Sequence, residues 1–174
     1  RRSCKRRPCP RYAVEQTECL DQMKLFLVHE PEVETPFGDE LLQKIYEKTI
    51  SKIALFAGTE KNIHLGVAAV SEARIQELNR EYRGKDKITD ILSFGDEWNY
   101  IDKQSLPEGD ELMLGDLIYN PGYIVRAAKE DGVSEEHEMA FIFSHGILHL
   151  LGYDHGERMF ALQDEIADEL GREI

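Results

Sequence analysis

The 174-residue chain predicts an α+β fold, with a single mixed β-sheet of about four strands packed with about five helices. Three observations carry that expectation. Apolar runs of strand length recur between longer segments whose apolar residues fall at helical spacing. The elements read in the order β-α-β-α-β-β-α-α-α, alternating at first and then wholly helical. A composition of 41% hydrophobic and 32% charged residues is that of a globular protein, at a length that suits one domain rather than two.

Regular patterning starts at Met23. Residues 1–22 show no hydrophobic period and are expected to be a disordered N-terminal extension ahead of one domain over residues 23–174. All three cysteines (Cys4, Cys9, Cys19) lie in this extension, where an odd count makes no disulfide framework and the spacing matches no familiar zinc pattern. The extension lacks the apolar centre of a secretory signal. A cytoplasmic location is therefore expected, with an organelle as the alternative if the Arg-rich start is a transit remnant. No apolar run reaches eighteen residues, so no membrane partner is expected. The net charge of -13 divides into +3 for residues 1–22 and -16 for the remainder. So acidic a body disfavours indiscriminate binding of nucleic acid and calls for a local basic patch or a partner.

Each element has its own warrant. Lys24 to Val28 reads as a strand. A helix is expected from Asp39 to Phe56, on the recurrence of Leu41, Leu42, Ile45, Ile50 and Ile53. Ile63 to Val70 is a second strand, and Ser71 caps a helix to about Tyr82. Asp90 to Phe94 is a short strand, followed by a polar loop around Trp98 to Gly109. Leu112 to Tyr119 is the next strand. Pro121, well placed in a first turn, opens a helix to about Glu130. Ser134 caps a longer helix to Leu151, with Glu135 and Glu136 at the positive end of its dipole. A last helix covers about Glu157 to Leu170.

The segment His145-Gly-Ile-Leu-His149-Leu-Leu-Gly-Tyr-Asp-His155 carries the chemistry. Four residues apart on one helix, His145 and His149 share a face one turn apart. Gly152 can end the helix with a left-handed turn, and His155 can return to the same ion. Three ligands leave a fourth position open, as in a catalytic rather than a structural zinc site. Zn2+ is the expected cofactor, although imidazoles also accept nickel or copper. His29, His64 and His137 lack such spacing and read as ordinary strand or surface residues. Ser144 has no evident role as a nucleophile. The frame His-x3-His-x2-Gly-x2-His gives a zincin-like histidine helix and equals that of the metzincin proteases, which need Glu directly after the first histidine. Here that residue is Gly146, which disfavours peptide hydrolysis.

A second stretch, Asn79 to Phe94, concentrates Arg80, Arg83, Lys85 and Lys87 in the acidic body. It is either a solvated turn or, beside an open metal, a holder of phosphodiester oxygens. Asp90, Asp116 and Asp154 are candidates for orienting a histidine ring.

Together, HGILHLLGYDH, Asn79…Tyr82-Arg83-Gly84…Asp86…Thr89-Asp90…Leu92-Ser93-Phe94 and Gly115-Asp116 resemble the bacterial YbeY family of rRNA maturation factors. The resemblance covers about six-sevenths of the chain, from Met23 onward. It implies a zinc-dependent, single-strand-specific endoribonuclease acting in ribosomal RNA maturation and ribosome quality control. It also implies His145, His149 and His155 as zinc ligands, Arg83 as the arginine important for activity, and single-stranded rRNA and the ribosome as partners. Three departures stand out: residues 1–22 have no counterpart, Ile88 replaces a frequent Pro, and little chain separates His155 from the last helix. The alternatives are a metallopeptidase of metzincin-like spacing and a non-catalytic, zinc-containing ribosome-assembly factor.

Overall fold

Four strands form one sheet in the order β1-β2-β4-β3. They are β1 (Lys24–His29), β2 (Asn62–Ala69), β3 (Ile91–Phe94) and β4 (Glu111–Tyr119). The computed structural model describes residues 23–96 and 99–173, so the expectations for residues 1–22 and Trp98 fall outside the described residues. β1 and β4 run parallel to β2 on either side, and β3 closes one edge antiparallel to β4. The sheet is thus mixed, as expected.

Strand alternation divides the side chains between two faces. One face presents Ile63, Leu65, Val67 and Ala69 of β2 with Leu112, Leu114, Leu117 and Tyr119 of β4, all buried in the main core. That core is completed by α1 (Asp39–Ser51), α4 (Pro121–Asp131), α5 (Glu135–Leu150) and α6 (Glu157–Glu173). α5 lies at its centre and buries residues on most of its circumference, among them Met139, Phe143, Ile147 and Leu148, so it has no broad polar face. Among the described residues, the other face is covered in part by α2 (Glu72–Arg83). Ile75 and Leu78 there meet Val70 and Leu92 in a small second cluster.

The serine caps fall where the sequence places them, and the structure adds an asparagine cap. Ser71 Oγ accepts from the Arg74 N–H and Ser134 Oγ from the His137 N–H, while Asn120 Oδ1 caps α4 behind Pro121. Two expectations need correction. The helix from Asp39 stops at Ser51 rather than Phe56, and only a 3-10 turn (Ala54–Phe56) follows. The Ser51 hydroxyl takes the Lys48 carbonyl at 2.7 Å, so the Lys52 N–H turns to Thr49 instead. The segment expected as loop contains a short helix α3 (Tyr100–Lys103), capped by Asn99 with Tyr100 buried beneath it. Six α-helices thus stand among the described residues, where about five were expected.

Candidate metal centre

The site is built at the end of α5. The helix closes in a Schellman turn in which the Gly152 N–H donates to the His149 carbonyl and the Tyr153 N–H to the Leu148 carbonyl, both at 3.0 Å. Gly152 sits at φ 93°, the left-handed conformation expected of it. Asn99 packs so tightly against Gly152 that a Cβ would collide with it. The reversal brings His155 back over the last turn of α5.

Three imidazole nitrogens then converge. His149 Nε2 lies 3.0 Å from His145 Nε2 and 3.2 Å from His155 Nε2. The protein's own acceptors fix which nitrogens carry protons. Gln163 Nε2 donates to the Phe141 carbonyl, so its Oε1 faces His145 Nδ1 at 3.2 Å and requires an N–H there. The Tyr153 carbonyl, 3.0 Å from His149 Nδ1, requires the same of that ring. Both Nε2 atoms are left as bare lone pairs aimed at one point. Burial, and then the neighbouring His145 and His155, push the His149 imidazole down to about 4. Burial likewise lowers His145, against the opposing bond from Gln163. The His145 and His149 rings are therefore neutral near pH 7, the form that binds metals. Tetrahedral zinc with Zn–N near 2.05 Å separates its nitrogens by about 3.3 Å, close to the spacing of the cluster. His145, His149 and His155 together form a group able to hold a metal ion.

The orienting groups are not the aspartates. Asp90 Oδ1 instead accepts from the Thr89 hydroxyl and the Ile91 N–H of its own turn. Asp116 lies on the α2 side of the sheet, against Gly66. Asp154 is exposed, and no hydrogen bond joins any of the three to a ring among the described residues. Gln163, buried on α6 eighteen residues beyond His145, and the backbone of Tyr153 take that role. The other histidines stay apart from the cluster. His29 bonds Asp39 and Tyr119, His64 bonds Glu111, and His137 lies 3.7 Å from Asp168. Ser144 is buried and donates to the Phe141 carbonyl.

Gly146 has a packing reason of its own. A Cβ there would stand 2.8 Å from Leu117 Cδ2 and 3.0 Å from Ile91 Cδ1. The residue after the first histidine therefore faces the sheet, and a carboxylate there would enter the apolar seam rather than approach the histidines.

Arg83, the last residue of α2, reaches the same place from the opposite side of β3. It lines a cleft of about 300 Å3 with Ser93, Gly95, Asp96, His149, Leu150 and His155. Gly84 ends α2 at φ 67°. The buried Asn79 amide donates to the Lys87 carbonyl at 2.8 Å and ties the following loop to the helix. Of the basic residues expected together, only Arg83 lines the cleft. Arg80 lies 3.8 Å from Asp86 at the surface.

An α+β protein with a three-histidine cluster beside an arginine-lined cleft is the class that fold and site define. A family model described as Endoribonuclease YbeY matches residues 28–171, and the chain belongs to that family. An Endoribonuclease YbeY of Ureaplasma urealyticum is 40% identical over 146 residues, 80% of this chain and 88% of the relative. One from Moorella thermoacetica is 38% identical over 148 residues, 82% of this chain and 91% of the relative. The solution structure of TM1509 from Thermotoga maritima superposes with a TM-score of 0.52 at 27% identity, covering 87% of this chain and 90% of that one. No helix among the described residues is long and apolar enough to cross a membrane.

Proposed function

We propose that the protein is a zinc-dependent endoribonuclease that cleaves single-stranded RNA in ribosomal RNA maturation and ribosome quality control. The observation that carries this reading is the convergence of three Nε2 atoms in a cleft shared with Arg83. Family membership gives the substrate class. Bound by His145, His149 and His155, zinc supplies Lewis acidity toward water and a phosphoryl oxygen. The chain's own residues supply the rest. Gln163 and the Tyr153 carbonyl hold two rings in the tautomer that presents Nε2. Arg83 binds a phosphate oxygen through its planar fork and offsets the charge that builds on phosphorus.

The orientation of Gly146 argues against peptide hydrolysis. A non-catalytic ribosome-assembly role is favoured by one observation, the net charge of -13, which leaves free RNA weakly attracted without a partner.

Metal content and cleavage of single-stranded rRNA, measured together, decide between these. His149→Ala is expected to lose both metal and cleavage. Arg83→Ala is expected to keep the metal and lose cleavage by roughly 10²–10³-fold. Zinc-loaded protein that cuts no RNA would leave the assembly reading. Full cleavage by metal-free protein would overturn the proposal, and nickel or copper in the purified protein would replace zinc in it.

A further inference from the structure

The seam between β3 and α5 is apolar on both sides of one hydroxyl. β3 turns Ile91 and Ser93 toward α5 and the main core, while Leu92 and Phe94 face α2. Ser93 pairs across the sheet with the fully buried Leu117 and follows Ile91 along the same face. Both of these neighbours pack on Gly146, where an added Cβ would meet them. The bare glycine lets α5 settle onto β3, and this sets Ser93 against the turn that runs from His145 to His149. By alternation the position calls for another aliphatic residue. A hydroxyl placed there costs free energy unless a hydrogen bond compensates it.

Within the protein that hydroxyl is weakly engaged. Its one hydrogen bond among the described residues runs to the Gly146 carbonyl at 3.4 Å, well beyond the usual length for a hydroxyl donor. The carbonyl belongs to the hydrogen-bond ladder of α5, so the helix does not depend on the serine. Among the described residues no base bonds Ser93 Oγ, which leaves it a donor and not a nucleophile. On its remaining side Ser93 opens on the cleft of about 300 Å3 that Arg83, His149 and His155 also line. Two donors from separate elements thus border one cleft beside the imidazoles: a guanidinium at the end of α2 and a hydroxyl near the end of β3.

We propose that Ser93 holds the scissile phosphate together with Arg83, its hydroxyl donating to one non-bridging oxygen. A guanidinium and a hydroxyl without a base both donate, so the group between them is an acceptor with oxygens on more than one side, as a phosphodiester is. The two residues differ in what they contribute. Arg83 is a long, exposed side chain and supplies charge, whereas Ser93 is a short one, half-buried on a paired strand, and fixes position. The phosphate in turn gives the serine the strong acceptor that its place in an apolar seam calls for, in exchange for the long contact with Gly146. This inference rests on the RNA reading above.

The test compares Ser93→Val with Ser93→Thr, two side chains of one shape that both suit a strand and differ in the hydroxyl. The full zinc-loaded chain is given single-stranded RNA carrying one phosphorothioate at a mapped cut, each diastereomer in turn. Ser93→Val is expected to keep its metal, to melt no lower than wild type and to cut unmodified RNA roughly 10–100-fold more slowly. Ser93→Thr is expected to stay near wild type. Sulfur should slow wild type more in one diastereomer than in the other. In Ser93→Val that difference should shrink, because the sulfur replaces an oxygen the residue no longer touches. Inorganic phosphate, followed by amide chemical shifts, should move Ser93 and Arg83 in wild type and bind more weakly to Ser93→Val. Full cleavage by Ser93→Val, or Ser93→Thr as slow as Ser93→Val, would overturn the contact and leave the endoribonuclease standing. A diastereomer preference equal in wild type and Ser93→Val would do the same. Metal loss in Ser93→Val would also sink the contact, since the serine would then act by seating α5. Phosphate bound through both residues by protein that cuts no RNA would uphold the contact and overturn the nuclease reading alone.

Discussion

His29 and the cluster at the end of α5 are built from the same residue type and end in opposite states. His29 spends both ring nitrogens within the protein. Nδ1 meets Asp39 at 2.8 Å, and Nε2 meets the Tyr119 hydroxyl at 3.2 Å, itself 3.0 Å from Thr35 Oγ1. His145 and His149 spend one nitrogen each on Gln163 and on the Tyr153 carbonyl, and point the other at a second imidazole. An imidazole nitrogen facing another imidazole nitrogen has no stable neutral arrangement unless a proton or a cation lies between. Here burial and the neighbouring rings hold His149 down to about 4, which disfavours the proton. The difference between a structural and a functional histidine in this fold is therefore the valence left over, not the residue.

Gln163→Leu attacks that difference where its effect is greatest. The substitution keeps the volume but removes the acceptor for His145 Nδ1–H, freeing the ring to turn and to change tautomer. Metal affinity, measured by competition with a chelating dye, is expected to fall roughly 10–100-fold. Affinity equal to wild type would mean that Gln163 only packs. A smaller effect is expected at the other pole. His29→Phe preserves the ring and removes its bonds to Asp39 and Tyr119, while Tyr119 keeps Thr35. Unfolding in denaturant should show a loss of about 1 kcal/mol with metal content unchanged. A change in metal content there would erase the distinction between the two regions.

Much of this contrast was legible in the sequence, for reasons local to the chain. The i, i+4 spacing of His145 and His149 and the turn at Gly152 are properties of one helix and its end. The strands β1, β2 and β4 were found within a residue or two because apolar alternation and β-branched residues mark them directly. Gln163 was not legible. It approaches His145 only because α6 folds back along α5, and nothing in its own neighbourhood distinguishes it from a surface glutamine. The aspartates were expected at the rings on chemical grounds, yet Asp90 turns to its own backbone and Asp116 to the other face of the sheet. Gly146 could be read as a missing base, but its contact with Ile91 and Leu117 needs the packing of α5 on β3 and β4. The end of α1 escaped for a subtler reason, a serine hydroxyl competing for a helical carbonyl.

The smallest expected effect comes from a region where charge, like the valence of His29, is fully satisfied. On the seam between α1 and α6, Glu169 pairs with Lys48 at 2.7 Å and with Lys52 at 2.6 Å. Hydrogen bonds from Lys48 and then Lys52 pull its carboxyl down to about 2 from the ordinary 4.5. The folded value lies below the unfolded one. The ion pairs therefore stabilise the fold fully above pH 4.5, and that contribution fades as the pH falls toward 2. Because the site is open to solvent, salt should weaken it further. Wild type and Glu169→Gln, melted in parallel across this range, should differ slightly at neutral pH and converge near pH 2. A difference in melting temperature that stays constant with pH would show that the glutamate acts by packing along the seam rather than by charge. The same melts with and without added zinc should shift both proteins equally, since this seam lies apart from the cluster of His145, His149 and His155.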